Sequence, residues 1–514
     1  MGIMRAIFEV IGTGIAFMFE YFLFVNFFLA IIVVFFQRKD PKSTWTWLLF
    51  LYIIPVFGFI IYLLIGTDMH KRRIFRTKEI DDRLSQAIHN QRMGLRNKEA
   101  LSDNETVVQY SDLILYNLET SGAILSSGND VHIINDGKEK FDLLLADMKN
   151  AKKSIHFQYY IIRPDEVFDS ICEVLRERAK AGVEVRILYD SMGSRWVRER
   201  FWRMLRSEGI EAVGFFPALL RWFHLRINYR NHRKIVVIDS HIAYVGGFNV
   251  GREYLGKDEK YGYWRDSHLR IIGEAVEALQ ARFILDWNHA AKKNLNMERY
   301  LKDEAENLSE IPKEFLPDNP TDFLADITTP SYGCDVQIIS DGPDTHIKNI
   351  RDNYLRLISK AKKRIYIQTP YFIPDESIMS ALLFAIHSGI EVNIMIPDRP
   401  DHPFVYWATY YHIGEMVTAG ANCYTYRDGF MHAKVMVIDD EVASCGTANM
   451  DIRSFTLNFE VNAIIYSKEK AKELSDAFLE DVKRSRQITK DAYLSRPLKI
   501  RFKEQTCRIL SPLL

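Results

Sequence analysis

Two long apolar segments open the chain, and beyond them the hydrophobic pattern breaks into short runs. The first segment extends from about Ile15 to Phe36 and the second from Trp45 to Ile65. Each approaches the roughly 20 residues that a helix needs to cross a ~30 Å hydrocarbon layer. Between them lies the polar turn Gln37-Arg38-Lys39-Asp40-Pro41-Lys42-Ser43. The expected element over 1–70 is a transmembrane hairpin of two helices. A cleaved signal peptide fits poorly. The stretch is long, carries Glu9 and Glu20, has no small-residue cleavage site and runs directly into a second apolar segment. Basic residues occupy both the turn (Arg38, Lys39, Lys42) and the stretch after the second segment (Lys71, Arg72, Arg73, Arg76, Lys78). Their balance favours, by a small margin, a cytoplasmic position for the large C-terminal part.

Residues 71–104 are polar and helix-prone and are expected to form a connector. A repeat follows. Ala151-Lys-Lys-Ser-Ile-His-Phe-Gln158 matches Ala361-Lys-Lys-Arg-Ile-Tyr-Ile-Gln368, and Gly182-Val-Glu184-Val matches Gly389-Ile-Glu391-Val. In both copies a helical pattern feeds an apolar strand, a second helix, a glycine turn and a second strand. This alternation predicts an α/β fold of mixed sheets flanked by helices. Two halves are expected, 105–291 and 334–514. The linker 292–333 carries Pro312, Pro317, Pro320 and Pro330.

The third strand of each half carries the chemistry. His232-Arg-Lys234-Ile-Val-Val-Ile-Asp239 returns two hundred residues later as His432-Ala-Lys434-Val-Met-Val-Ile-Asp439. Gly246 and Asn249 follow the first copy, and Gly446 and Asn449 follow the second at the same offsets. In an extended chain residues i and i+2 share a face, so each histidine lies beside its lysine. A neutral imidazole can attack phosphorus or carry a proton near neutral pH. Lysine and asparagine supply donors for phosphate oxygens. A lone His-x-Lys reads as a core histidine with a snorkelling lysine; two copies in register point instead to a duplicated domain. Two similar halves packed about a pseudo-twofold axis would set His232 opposite His432 across one phosphate.

These residues resemble the phospholipase D superfamily signature H-x-K-x4-D-x6-G-[SG]-x-N. Gly247 and Thr447 stand at the variable small position, and threonine is a mild departure there. Further stretches are similar to the bacterial cardiolipin synthases: Ser43-Thr-Trp-Thr-Trp47, Pro55 to Gly66, Tyr263-Trp264-Arg265-Asp266 and the terminal Arg508-Ile-Leu-Ser-Pro-Leu-Leu514. The resemblance implies two tandem phospholipase D-like halves behind a membrane hairpin. It implies transfer of a phosphatidyl group from one phosphatidylglycerol to another, giving cardiolipin and glycerol through a phosphohistidine. His232 would be the nucleophile and His432 the acid/base. The catalytic set it implies is His232, Lys234, Asp239, His432, Lys434 and Asp439, with Lys234, Asn249, Lys434 and Asn449 on the phosphate. Asp239 and Asp439 end apolar strands, where a carboxylate holding backbone donors is the expected role. Asp266 and Glu460 are candidates to accept the second N–H of a catalytic histidine.

Lys plus Arg and Asp plus Glu each number 67. This balance argues against a nucleic-acid partner, which usually draws a basic excess. No cofactor, metal or obligate protein partner is expected; the partners are membrane lipids. Cys172, Cys334, Cys423, Cys445 and Cys507 lack metal-ligand spacing and read as reduced structural thiols. Two apolar stretches, Phe215 to Arg226 and Phe404 to Tyr411, are candidates for contact with lipid; core packing is favoured for the second. The rival readings are a membrane-tethered phospholipase D or phosphodiesterase, and a non-catalytic scaffold.

Overall fold

The computed structural model describes residues 17, 20–36, 41–62, 82–96, 103–216, 229–300 and 333–510. The expected turn at 37–40, half of the connector (71–81 and 97–102), the linker at 301–332, the aromatic stretch at 217–228 and the tail at 511–514 lie outside the described residues. The chain divides into two compact units, one of 1–72 with 218–229 and one of 73–217 with 230–512.

In the smaller unit the first apolar segment is helical over 20–31 and widens into a π-turn at Ile32–Phe36. The second segment is divided into Pro41–Ile53 and Pro55–Ile61. Proline explains the division. Pro55 lacks an N–H and crowds the carbonyl four residues back, so the helix cannot run through it. The carbonyl released is that of Leu51. The buried Asn26 side chain donates to it at 2.7 Å and to Pro55 O at 2.9 Å. Val33, Trp47, Leu51 and Tyr62 form a small core. Phe17, Tyr21, Phe24, Phe27, Phe35 and Trp45 are exposed. Among the described residues no helix is long and apolar enough to cross a membrane, which differs from the expectation of two unbroken spans.

The larger unit is built on one sixteen-stranded mixed sheet. Its centre is the antiparallel pair of Leu125–Ile134 with Cys334–Asp341. Outward on the first side come His268–Ile272, Ile242–Gly246, Ile235–Ile238, Ser154–Tyr159, Glu184–Asp190 and Glu211–Phe215. On the other side the order repeats as Asn458–Tyr466, Val442–Gly446, Val435–Ile438, Arg364–Gln368, Glu391–Pro397 and Asn422–Tyr426, with Ser485–Ile488 added at the edge. The duplication therefore appears as two half-sheets joined edge to edge, with the same order of strands running outward on each side.

The outer strands are parallel because helices return the chain between them. Helix Glu166–Lys180 is an example. Asp165 caps it by accepting from Val167 N and Phe168 N, and its apolar face (Val167, Phe168, Ile171, Cys172, Leu175) is buried. It ends before Gly182 at φ 90°, and the matching Gly389 has φ 86°. Only a residue without Cβ adopts this turn without strain.

Two features depart from the sequence pattern. The motif strand is not the third of its half. Leu125–Ile134 precedes the repeat, and Glu211–Phe215 intervenes before the motif. These strands are mixed in polarity and carry Gly128 and Gly214, which masks their period. Helix Ser111–Ser121 lies ahead of the first half in sequence, yet Leu113 and Ile114 join the second half's core with Ile350, Tyr354 and Ile358. Helices Ala275–Ala291 and Lys468–Lys483 cover a core shared by both halves, with Val276 and Leu279 from one and Leu474 and Phe478 from the other.

Candidate active site

Each His-x-Lys motif enters its strand from a short segment that pairs with the other half. Arg230–Asn231 runs parallel to Asn458–Phe459, and Phe430–Met431 runs parallel to Trp264–Arg265. The backbone of each histidine continues this exchange. His232 N donates to Phe459 O at 3.0 Å, and His432 N donates to Arg265 O at 2.7 Å.

The side chains cross in the same way. His232 Nδ1 lies 2.9 Å from both carboxylate oxygens of Glu460. His432 Nδ1 lies 2.5 Å from Asp266 Oδ2. Glu460 and Asp266 occupy equivalent places. Each lies two residues before the residue paired with a motif glycine, Asn462 opposite Gly446 and His268 opposite Gly246. The sequence singled out both carboxylates but did not assign them to partners; the structure joins each to the histidine of the other half. Both are fully buried. A buried carboxylate facing Nδ1 fixes that nitrogen as the N–H and leaves the Nε2 lone pair for chemistry.

The two carboxylates are held differently. Thr447 Oγ1 donates to Glu460 Oε2 at 2.6 Å and Asn458 Nδ2 to Oε1 at 3.1 Å. Asp266 Oδ1 accepts from Ser267 N at 2.8 Å. Opposite Asp266 the chain must have glycine, since a Cβ on Gly247 would lie 1.9 Å from Oδ1. The threonine noted at 447 is thus part of the support for Glu460.

Lys234 and Lys434 are buried beside their histidines. Lys234 Nζ donates to His232 O at 2.6 Å, and Lys434 Nζ donates to His432 O and lies 3.0 Å from His432 Nδ1. Burial pulls Lys234 down to about 7 and Lys434 down to about 8, against the attraction of Glu460 and Asp266. Burial also lowers both histidines to about 4. The lysines add to this, and Glu460 and Asp266 oppose it. Both imidazoles are therefore neutral in the empty site near pH 7. Each lysine acts on the histidine of the opposite half as well as its own, so the four groups share one electrostatic site.

Asn249 donates to Tyr254 OH at 2.8 Å and accepts from Ile161 N at 3.1 Å. Asn449 N donates to Ser454 Oγ at 3.2 Å, and its side chain bonds to Asp451. Aromatic rings wall the histidines, Tyr160 at 4.9 Å from His232 and Trp264 at 5.4 Å from His432.

Asp239 and Asp439 are not in this group. Each sits past the far end of the motif strand, roughly 20 Å along the chain from its histidine. Asp239 accepts from the backbone N–H of Lys152, Lys153 and Ser154 at 2.7 Å each. Asp439 does the same for Lys362, Lys363 and Arg364. Both have positive φ, 53° and 56°. Six residues of chain separate each from its histidine and backbone donors occupy its carboxylate, which supports the structural role expected at a strand end over a part in the chemistry.

Sequence reasoning missed a second buried set. Arg233, the middle residue of the first motif, pairs with Asp286 at 2.6 Å and donates across the halves to Glu460 O and Asp341 O. Gln158 also donates to Asp286 at 2.7 Å. In the second half Asp481 accepts from Gln368 and, across the halves, from Arg265, both at 2.8 Å. The matched glutamines of the repeat were the available signal. Of the aromatic stretch before the first motif, Phe215 and Phe216 are buried against Phe459. In the second stretch Phe404 is exposed while Ala408 is buried.

Two like halves with interlocked His-x-Lys motifs define a tandem phospholipase D-type protein. Residues 144–287 and 354–482 match the family model described as cardiolipin synthase, PLD-like domain, and residues 24–66 match phospholipase D-nuclease N-terminal. The chain is 46% identical over 500 residues to the major cardiolipin synthase ClsA of Bacillus subtilis (strain 168), covering 96% of this chain and 98% of that one. It is 46% identical to cardiolipin synthase of Staphylococcus aureus (strain Mu50), over 95% of each. It is 44% identical to cardiolipin synthase of Listeria welshimeri, over 97% of this chain and 99% of that one. The solved phosphatidylserine synthase of Haemophilus influenzae shares the fold at TM-score 0.55 and 14% identity, over 75% of this chain and 95% of that one. The chain belongs to the bacterial cardiolipin synthases of the phospholipase D superfamily.

Proposed function

We propose that this enzyme joins two phosphatidylglycerol molecules into cardiolipin and glycerol by a two-step displacement at phosphorus. Nε2 of His232 attacks the phosphodiester of the first lipid, the P–O bond to glycerol breaks, and protonated His432 gives its proton to the departing oxygen. A phosphatidyl-His232 remains. Neutral His432 then takes the proton from the terminal hydroxyl of a second phosphatidylglycerol. That oxygen attacks phosphorus, releasing His232 and forming cardiolipin. The observation that carries this reading is the crossed pairing of His232 with Glu460 and His432 with Asp266. It makes two oriented imidazoles and two lysines one site.

The neutral state of both imidazoles in the empty site suits the attacking group. The arriving phosphate anion favours protonation of His432 and recharges the lysines. Lys234 and Lys434, with Asn249 and Asn449, hold the non-bridging oxygens on which transition-state charge collects. The N-terminal segments enter the membrane as two spans in this reading, supported by the exposed Phe17, Tyr21, Phe24, Phe27, Phe35 and Trp45, with the catalytic part on the cytoplasmic side, as the basic residues after the second segment favour.

Pure phosphatidylglycerol offered to the enzyme in bilayers tests the reading. Cardiolipin and free glycerol are expected in equal amounts, with little phosphatidic acid, and added glycerol should drive the reaction backward. Phosphatidic acid as the main product, indifferent to glycerol, would make the enzyme a hydrolase.

A further inference from the structure

The C-terminal helix Leu498–Leu510 is bound to the larger unit by one face. Cys507 is buried in an apolar cluster with Ile373 and Ala408. Glu504, the helix's one acid, is fully buried and paired with Arg496 at 2.6 Å. The outward face is unusual for a solvated helix. Leu498 is 79% exposed and Phe502 is 74% exposed. At about 100° per residue these two share a stripe, with Arg501 and Arg508 along one side and Lys499 and Lys503 along the other. All four basic residues are exposed, and no exposed acid on the helix offsets them.

An apolar stripe between two basic rows is the pattern of a helix lying in a membrane interface. We infer that Leu498–Leu510 is a docking surface for an anionic phospholipid bilayer, with Leu498 and Phe502 in the acyl boundary and the four cations against lipid phosphates. This rests on the proposed function in that the substrate lipid is itself anionic. A second copy of the chain is a poorer occupant. An isologous contact would set four cations against four like charges. The helix is also placed to serve the site. Ile373, against which Cys507 packs, belongs to the strand paired with Met450–Asp451, directly after Asn449. Docking here holds the second half's phosphate-binding segment close to the lipid surface, separately from any anchorage by the hairpin.

The test uses the full chain with Phe502→Cys carrying an environment-sensitive fluorophore, reconstituted in vesicles. The native cysteines are buried, and the native chain taken through the same labelling is the blank. In phosphatidylcholine vesicles containing phosphatidylglycerol the emission should shift to the blue and be quenched by brominated acyl chains; in phosphatidylcholine alone both effects should be weak. Combining Lys499→Glu, Arg501→Glu and Lys503→Glu should abolish the quenching. It should also lower transfer on anionic vesicles about tenfold while leaving transfer in detergent-dispersed lipid unchanged. A label that stays water-like in phosphatidylglycerol vesicles overturns the inference. A shift that follows protein density rather than lipid charge overturns it in favour of a second copy. Quenching without any cardiolipin formation would instead sink the proposed reaction and leave the docking surface standing.

Discussion

His232 Nδ1 meets the Glu460 carboxylate at 2.9 Å across 228 positions of sequence. Neither half can therefore orient its own histidine. The imidazole of the first half takes its tautomer from the second, and His432 takes its own from Asp266 of the first. The fused sheet makes this possible, since it fixes the strand bearing Glu460 relative to the strand His268–Ile272 that Asp266 leads into.

The crossing predicts which step each carboxylate serves. Glu460→Gln should impair formation of the phosphatidyl-enzyme, because the His232 tautomer is no longer held. Asp266→Asn should slow the proton transfers by His432 in both steps, so that the intermediate forms slowly and also turns over slowly. Either change should lower kcat by roughly a hundredfold or more without unfolding the chain. Acid-quench trapping with labelled phosphatidylglycerol reads the difference. Native enzyme quenched during turnover should carry label on His232, His432→Ala should form it far more slowly because glycerol must leave unprotonated, and label found on His432 would reverse the proposed roles.

Asp239 and Asp439 should behave oppositely. Asp239→Ala removes the acceptor of three backbone N–H groups and leaves a non-glycine residue at positive φ. A cost of about 1–3 kcal/mol is expected. Thermal unfolding should fall to lower temperature, while kcat per folded molecule stays within about twofold of native. A large loss of kcat in fully folded protein would return Asp239 to the chemistry.

Gly247 and Thr447 give a paired test. Gly247→Thr drives a side chain into Asp266, whose Oδ1 would be 1.9 Å from the new Cβ. It should lower activity at least tenfold by displacing the carboxylate from His432. Adding Asp266→Glu rebuilds the arrangement of Thr447 with Glu460. Part of the activity should return in the double variant, a coupling that independent effects would not give.

The pH dependence follows from the empty site. Lys234 at about 7 and Lys434 at about 8 lie below the usual lysine range, because burial disfavours the ammonium form. Raising the pH through these values removes the cations that bind phosphate, so kcat/KM should fall on the alkaline side of about 7–8. Lowering it toward about 4 protonates His232 and removes the nucleophile. Bound phosphate favours the charged lysines, so the alkaline limb of kcat should lie above that of kcat/KM. Parallel limbs measured on phosphatidylglycerol would show that these lysines do not bind the substrate phosphate.

A single sequence carried the duplicated motif, because strand alternation and fixed offsets repeat wherever a domain does. It offered His232, His432 and both lysines by residue type, and a strand-end role for Asp239 by its place after an apolar run. It could not pair Glu460 with His232, since one chain holds no record of which distant strand faces which loop. Nor could it show Arg233 spanning the halves: a charged residue beside a motif reads as solvated until burial is known. Nor does it show that Asn26 of the first segment meets the carbonyl that Pro55 releases from Leu51, a contact that only packing decides. Local periodicity determined the elements and the reactive groups. The antiparallel seam between Leu125–Ile134 and Cys334–Asp341 decided how they meet, because cross-strand register depends on contacts far apart in the chain.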